Sequence, residues 1–196
     1  MATTFSVLGS GLGSFRAAPA ETLLYQKMHD GTTTGMILTS CTATTSVSDP
    51  DGGTNAVRFT SGVSATLNGS IDGANNAFTF NPSVNNIRFY VRKGSSWASA
   101  QAWIRVRTIN MDAGISVNRS IRIDAGTGTT GETGFTVVEV TDVGGGWWRV
   151  HLTLDCTSAT DRTGQLRFFF ADASGDATIN SNNDHILELY NLRVTY

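Results

Sequence analysis

Arginine is the basic residue that this sequence uses for surface chemistry. Of its 14 basic residues, 12 are arginine and two are lysine. Several alternate with apolar neighbours, as side chains on the outward face of a strand do: Arg88, Arg92, Arg105, Arg107, Arg122, Arg149 and Arg167. A guanidinium group binds carboxylates through two parallel hydrogen bonds and stacks on aromatic rings. The pattern therefore indicates a solvated or contacting surface rather than reaction chemistry.

Aromatic rings and an imidazole share these outward faces. The residues that we predict to form a ligand or partner surface are Tyr90, Trp103, Arg105, Arg107, Trp147, Arg149 and His151. Such a surface could be a solvated sheet face, a subunit interface, or a shallow platform for sugar rings or acidic groups. The sequence leaves these three interpretations open.

The stretch 143–155 shows the two faces most clearly, because a glycine turn leads into two adjacent tryptophans and an alternating strand. One face is predicted to point into the core, and it carries Trp148, Val150, Leu152 and Leu154. The opposite face carries Trp147, Arg149, His151 and Thr153. An indole beside an arginine and a histidine suits packing onto a planar or acidic partner.

Residues with the spacing of an active site are not evident. The histidines His29, His151 and His185 fall in an arm, a strand face and a loop, without the short spacing of metal ligands. Most carboxylates sit in turns such as 48–53 and 171–176, where such side chains cap their own backbone. We therefore predict that the protein is not an enzyme and has no catalytic residues.

The sequence also contains few residues suited to metal binding or redox chemistry. Asp49 and Asp51 could supply two ligands to a structural calcium site completed elsewhere, although a plain turn accounts for them; otherwise no cofactor is expected. Cys41 and Cys156 lack neighbouring histidine ligands, and we expect unpaired buried thiols. The glycine-rich loop 126–131 lacks the lysine and the helix of a phosphate cradle, so it is predicted to be a turn.

The elements that must position these residues are strands. With 21 glycines, 3 prolines and no sustained helical period, the sequence predicts an all-β, antiparallel two-sheet sandwich. The predicted strands lie near 36–44, 55–60, 63–71, 77–81, 86–93, 101–110, 115–124, 134–141, 147–155, 164–171 and 186–195.

Residues 1–35 differ from this pattern and predict an extended N-terminal arm, followed by a sandwich domain over 36–196. The glycine-rich stretches of the arm enclose only one short apolar patch, Leu23-Leu-Tyr25, which cannot fold by itself. We expect the arm to become ordered along a neighbouring subunit or back along its own domain.

The charge balance limits the classes of partner. A net charge of −2 with 15 % charged residues provides no general field for nucleic acid. The chain also shows no signal peptide and no apolar run long enough for a membrane span. We therefore expect a soluble protein made in a cytoplasm, with neither nucleic acid nor membrane as partner.

Four stretches resemble a known family: Ser48-Asp-Pro-Asp-Gly-Gly-Thr-Asn-Ala-Val-Arg-Phe59, Ile87-Arg-Phe-Tyr-Val-Arg-Lys-Gly94, Val140-Thr-Asp-Val-Gly-Gly-Gly-Trp-Trp-Arg-Val150 and Ile186-Leu-Glu-Leu-Tyr-Asn-Leu-Arg-Val194. They resemble successive landmarks of the carbohydrate-binding-module-like (galactose-binding-like) jelly rolls of tailed-phage structural proteins. The chain departs from these landmarks at Trp148, where tyrosine is usual, and at Arg92-Lys93, where lysine and alanine are usual.

The resemblance covers residues 36–196 and implies a jelly roll in a virion, without transferring a sugar site. It predicts a structural component of a bacteriophage virion, either a capsid decoration protein or part of a head- or tail-attached fibre. The arm would contact other virion proteins, and the protein would be a homo-oligomer. The alternative is a lectin-like adhesion module for host cell-surface polysaccharide.

Overall fold

Alternating apolar side chains produce the strands of this protein, as the sequence predicts. The computed structural model describes residues 20–34, 36–39, 41–61, 70–72, 78–94, 102–123, 127–128, 134–171 and 185–196. Within them lie fourteen strands and no helix. Accordingly, no helix in this part of the chain is long and apolar enough to cross a membrane.

The strands are β1 (Leu23–Lys27), β2 (Ile37–Thr39), β3 (Cys41–Val47), β4 (Ala56–Ser61), β5 (Ser70–Asp72), β6 (Phe78–Thr79), β7 (Val84–Lys93), β8 (Trp103–Ile109), β9 (Asn118–Arg122), β10 (Thr127–Gly128), β11 (Phe135–Gly144), β12 (Trp147–Asp155), β13 (Thr163–Ala171) and β14 (Ile186–Thr195).

These strands form two seven-stranded sheets in which every pair is antiparallel. The first sheet has the order β11-β12-β7-β14-β4-β3, and β1 also pairs with β14. The second has the order β10-β9-β8-β13-β5-β2, and β6 also pairs with β13. The predicted all-β, two-sheet jelly-roll sandwich is thus confirmed.

The main core is the layer of side chains between the two sheets. Ile87, Phe89 and Val91 of β7 are buried there, as are Ile104 and Val106 of β8. An edge-to-face ring contact with 5.2 Å between centroids joins Phe89 of the first sheet to Phe168 of the second. Burying each of these side chains stabilises the fold by roughly 1.5–3 kcal/mol before entropy is counted.

The predicted inward face of β12 is also confirmed. Val150, Leu152 and Leu154 are buried in this core, and Trp148 packs against it while partly exposed. The turn before β12 needs glycine, because Gly144, Gly145 and Gly146 have φ values of 89°, 61° and 79°. Positive φ at the two central residues is typical of the hairpin turn that matches strand twist.

Several predicted bounds differ from the structure or extend into residues that it does not describe. The predicted strand 115–124 begins only at Asn118, because Ile115 and Val117 are buried in the preceding loop. Within the predicted turn 126–131, Thr127–Gly128 pairs with β9, while the rest of that turn lies outside the described residues. Of the predicted strand 63–71, only 70–71 is described, within β5, and Ser40 is not described between β2 and β3.

Part of the predicted arm lies along this chain's own sandwich, which is one of the two expected placements. Strand β1 pairs with the second half of β14, from Leu23 opposite Thr195 to Lys27 opposite Leu192. Tyr25 and Met28 are buried in the core. The first sheet therefore starts before the predicted boundary at residue 36, and residues 1–19 of the arm lie outside the described residues.

Candidate functional site

The seven residues of the predicted ligand or partner surface are divided between the two sheets. Tyr90, Trp147, Arg149 and His151 lie on β7 and β12 of the first sheet. Trp103, Arg105 and Arg107 lie on β8 of the second. Since the outer faces of a sandwich point in opposite directions, the seven do not form one continuous platform, which corrects that expectation.

The tryptophans of this predicted surface are covered. Trp147 is 2 % exposed and Trp103 is 8 % exposed, so neither presents an open ring face to a sugar. Beside Trp103 on β8, Arg105 is partly buried and Arg107 is exposed. An indole of such low exposure contributes packing, and the stacking platform that the sequence suggested is not formed by these two rings.

Trp147 belongs to a small apolar cluster on the outside of the first sheet, which we call the outer cluster: Val47, Ala56, Trp147 and Tyr190, with Tyr90 packed against it. The guanidinium carbon of Arg92 lies 4.6 Å from the centre of the indole and covers it. Trp147 and Arg92 are direct partners in the β12–β7 register. A cation over an indole face is an attractive arrangement that shields the ring from water.

Arg92 is held in this position by Glu188, a carboxylate that is only 2 % exposed. The Nε of Arg92 donates to Glu188 Oε2 at 2.5 Å. The Nε and Nη2 of Arg58 donate to Glu188 Oε1 at 2.8 and 2.6 Å. Both oxygens of this carboxylate therefore accept hydrogen bonds from a guanidinium, as a buried charge requires.

Strand register explains why these groups meet. Glu188 of β14 pairs with Arg92 of β7 on one side and with Arg58 of β4 on the other. Together with Trp147 they form one row across four adjacent strands of the first sheet. The side chains alternate with the core residues Leu187 and Leu189, so they face outward.

A cavity of about 230 Å³ lies at the end of this row, and it is the candidate functional site. It is lined by Arg58, Arg92, Lys93, Gly94, Ile186 and Glu188. The guanidiniums of Arg58 and Arg92 and the carboxylate of Glu188 give these outward-facing side chains a net charge of +1. Its volume is below the about 300–1,000 Å³ of pockets for drug-sized ligands, so it suits a single small group.

The wall of the cavity depends on glycine at position 94. The amide of Gly94 donates to the carbonyl oxygen of Ile186 at 2.8 Å. A Cβ at this position would lie 2.3 Å from the Cβ of Ile186, which no side chain tolerates. Gly94 thus allows β7 and β14 to approach closely where the cavity forms.

The remaining predicted residues of the first sheet make contacts with residues that do not line the cavity. Arg149 donates to Glu139 Oε1, with Nε at 3.0 Å and Nη2 at 2.5 Å. The Nε2 of His151 lies 2.9 Å from Asn86 Oδ1. Burial first, and then the charge of Arg88, lowers the pKa of His151 below its ordinary value, so its imidazole is neutral at pH 7.

None of the cavity residues belongs to the seven residues of the predicted surface, although Arg92 is one of the arginines that the sequence places on outward strand faces. A sequence signal existed for Glu188, because it is a charged residue between two leucines of a central strand. Nothing in the local pattern reveals its partners, since Arg58 is 130 residues away and Arg92 is 96 residues away.

The Asp49 turn is stabilised by its own backbone. Oδ1 of Asp49 accepts from the amides of Asp51 and Gly53, and Oδ2 accepts from the amide of Asn55. Burial opposes ionisation, but these N–H donors hold the pKa of Asp49 below its ordinary value. Asp51 accepts from the hydroxyl of Tyr190 at 2.9 Å. The calcium ligands stay a prediction; among the described residues no three His, Cys, Asp or Glu side chains cluster.

The two cysteines are too far apart to form a disulfide. Cys41 is on β3 and Cys156 follows β12, and these strands lie four steps apart in the first sheet. At about 4.8 Å per step this separation far exceeds the Cα distance of a disulfide. Burial, followed by the charge of Asp155, raises the pKa of the Cys156 thiol to about 11. Cys41 is partly buried.

Comparisons with known proteins find solved structures of low similarity to this chain. No protein-family model matches the chain, and no curated protein matches it. It is similar to the CBM22-1 xylan-binding domain of Xyn10C from Paenibacillus barcinonensis, with a TM-score of 0.48 and 16 % identity over 91 % of this chain and 97 % of that domain. It is also similar to the arabinose-bound α-L-arabinofuranosidase MgGH51, with a TM-score of 0.47 and 15 % identity over 90 % of this chain and 26 % of that enzyme.

Proposed function

We propose that this protein is a non-enzymatic binding module that holds one unit of a glycan in the cationic cavity of its first sheet. The observation that carries the proposal is the cavity itself, of about 230 Å³ and lined by two arginines that pair with one buried carboxylate. A concave site with a few convergent polar groups is the usual form of a small-ligand site.

The sequence landmarks support this location. The stretches 48–59, 87–94 and 186–194, on which the family resemblance was based, contribute every residue that lines the cavity. The remaining landmark, 140–150, contributes Trp147, which lies under Arg92. The segments that resemble carbohydrate-binding-like jelly rolls therefore converge at one place on the molecule.

The chemistry of the lining also suits a sugar unit. Arg58 retains 43 % of its side-chain exposure, so the cavity opens to solvent at its guanidinium. Arginine donors match pairs of oxygen atoms, while Ile186 and the edge of Gly94 supply an apolar wall. We propose a module without catalysis because the single carboxylate of the lining, Glu188, is paired with arginines through both of its oxygens.

A polysaccharide panel with a cavity variant tests this function. We expect titration calorimetry to detect at least one polysaccharide that binds the wild-type chain, and Arg58→Gln to weaken that binding about tenfold, because a charge-assisted hydrogen bond is lost. Arg193→Gln removes an exposed arginine of the same sheet outside the cavity and should change affinity less than about twofold. Equal affinities for the wild type and Arg58→Gln would contradict the proposal.

For the biological setting we propose a tailed-phage particle, with the module as a capsid- or tail-attached component in several copies. This setting rests on the family resemblance of the sequence alone. Mass spectrometry of purified particles tests it, because a virion component is found there in fixed stoichiometry. Absence of the chain from particles, together with its presence in the lysate, would contradict a virion role.

A further inference from the structure

The outer face of the second sheet is rich in arginine, and we call it the arginine face. Its arginines alternate with core residues of β8, β9 and β13 and therefore point outward: Arg105, Arg107, Arg122 and Arg167. The three strands are adjacent in the sheet, so the four side chains share one surface. Arg107 is exposed and the other three are partly buried, so all four retain contact with solvent.

Acidic residues are nearly absent from the described strands of this sheet. The sequences of β8, β9 and β13 contain neither aspartate nor glutamate. The one acidic residue in the described strands of the second sheet is Asp72, at the register position opposite Arg167. Counted with the four arginines, it leaves a net charge of +3 on a chain whose overall net charge is −2. Positive charge is therefore concentrated on this face.

Strand register also places two of these arginines against each other. Arg107 of β8 is directly opposite Arg167 of β13. Arg167 donates to Gln165 Oε1 at 3.3 Å, which is a neutral acceptor and does not cancel the charge. Like charges directly opposite each other weaken a sheet, and a bound anion would remove this repulsion. On the first sheet, by contrast, Arg149 of β12 is paired with Glu139 of the neighbouring strand.

The aromatic residues of this face limit the class of partner. Trp103 and Phe169 are 8 % and 4 % exposed, so neither presents an open ring on which a nucleic-acid base could stack. The same burial removes the aromatic anchors on which most protein interfaces depend. The partner that fits this face carries its negative charges on a hydrophilic chain and needs no apolar pocket. An acidic polysaccharide has this chemistry.

We propose that the arginine face is a second binding surface, which holds an acidic polysaccharide through its carboxylate or sulfate groups. Sheet geometry spaces the arginines about 5 Å apart across strands and about 7 Å apart along a strand, so the chain meets several cations in succession. Guanidinium groups bind such anions through paired hydrogen bonds. The face lies on the opposite side of the sandwich from the cavity, so this inference does not depend on the function proposed for the cavity.

The test compares charged and uncharged polymers. Dextran sulfate, unmodified dextran and polygalacturonate are titrated into the full chain at low salt and at high salt. We expect both acidic polymers to bind at low salt and dextran to bind at least about tenfold more weakly, because charge-assisted hydrogen bonds are lost. Affinity for the acidic polymers should fall at high salt, since the face is partly exposed. The two acidic polymers distinguish sulfate from carboxylate as the preferred anion.

Arg107 provides the discriminating variants because it is the exposed member of the face. Arg107→Gln should weaken binding of the preferred acidic polymer about fivefold, and Arg107→Glu should weaken it further by repulsion. Arg193→Gln removes the same charge from an exposed position of the first sheet and should stay within about twofold of the wild type. Thermal unfolding midpoints within a few degrees of the wild type show that each variant is folded.

Each outcome decides the inference. Preference for an acidic polymer that Arg107→Gln weakens more than Arg193→Gln does supports it. Equal binding of dextran sulfate and dextran, absence of binding by the folded chain, or equal losses in the two variants overturns it. Tighter binding of a single-stranded oligonucleotide than of either acidic polymer also overturns it, because the face would then suit nucleic acid. The cavity is tested separately by Arg58→Gln, so the proposed function stands or fails independently.

Discussion

Two apolar regions of this molecule are stabilised by different interactions. The interlayer core is sealed on both sides by sheets, and residues such as Phe89 and Phe168 are at most 1 % exposed. The outer cluster around Trp147 has a sheet on only one side, and a guanidinium covers its other side. The core therefore depends on hydrophobic burial, whereas the outer cluster depends on the ion pairs that hold its cover.

This difference explains why the candidate site lies on the outer face of the first sheet and not in the core. A position inside the core has no route to solvent, while the outer row ends in a cavity that opens at Arg58. The same Glu188 that fixes Arg92 over Trp147 also orients Arg58 at the cavity. One buried carboxylate thus connects the covered indole with the candidate site on the outer face.

The largest effect is expected in the core. Phe168→Ala removes a ring that joins the two sheets through its contact with Phe89. The loss should be about 3–5 kcal/mol, since buried phenylalanine truncations leave a cavity. Urea unfolding measures it, with Val138→Ala at a 54 % exposed position as the control that should cost less than about 0.5 kcal/mol. If Phe168→Ala lowered the free energy of unfolding no more than the control does, the distinction between core and surface would be contradicted.

Glu188→Gln should give the next largest effect and should act on the outer face alone. It leaves two guanidiniums without their counter-charge, and we expect about 2 kcal/mol, below the value for a fully buried pair because both arginines reach solvent. Glu139→Gln, which breaks the more exposed pair with Arg149, is the matched control and should cost less than about 1 kcal/mol. Equal losses in the two variants would contradict the special position of Glu188.

The sequence predicts the core better than the outer row, and β7 and β12 show why. Alternation between Ile87, Phe89 and Val91 and their polar neighbours is a local signal, and all three are buried as expected. The bounds predicted for β12 and β14 agree with the structure, because glycines and turn residues mark their ends. Each of these signals lies within one stretch of about ten residues.

The outer row depends on register between strands that are distant in the chain. Nothing near Glu188 predicts that Arg58 and Arg92 flank it, since antiparallel pairing with β4 and β7 is decided by the whole sheet. The same is true of β1, whose short apolar patch predicted an arm but finds its partner in β14. Alternation predicts that a side chain faces outward, but it does not predict whether a neighbour covers it, as Trp147 shows.

Tyr190→Phe should reduce the stability of the fold by a smaller amount, and this loss should depend on pH. The variant removes the hydroxyl that donates to Asp51 and should cost about 1 kcal/mol at about pH 8. Burial, with the Asp51 hydrogen bond, raises the pKa of Tyr190 to about 12. Because the unfolded value is about 10, its contribution is present below about pH 10 and is lost as the pH rises towards about 12.

Urea unfolding of the wild type and Tyr190→Phe at about pH 8 and about pH 11 measures this dependence. The wild type should lose more stability between the two pH values than the variant does. Burial also raises the pKa of Tyr25 to about 12, so the variant should retain part of the fall. Identical losses would show that Tyr190 ionises at an ordinary pH and that its hydroxyl is not buried with the outer cluster.

Glu21→Gln is expected to cause the smallest loss of stability. It tests how strongly the first described segment is attached to the sandwich. Glu21 accepts from Arg88 Nη1 and Nη2 at 2.6 and 2.7 Å, but both side chains are more than one-third exposed. The loss should therefore be less than about 1 kcal/mol and should vanish in about 1 M salt. Amide exchange in β1 should rise while exchange in β7 stays unchanged, because the backbone pairing with β14 begins at Leu23 and remains. A loss as large as that of Phe168→Ala would mean that this exposed ion pair, rather than burial of Tyr25 and Met28, attaches the segment. The contrast between buried and exposed interactions would then not hold for this segment.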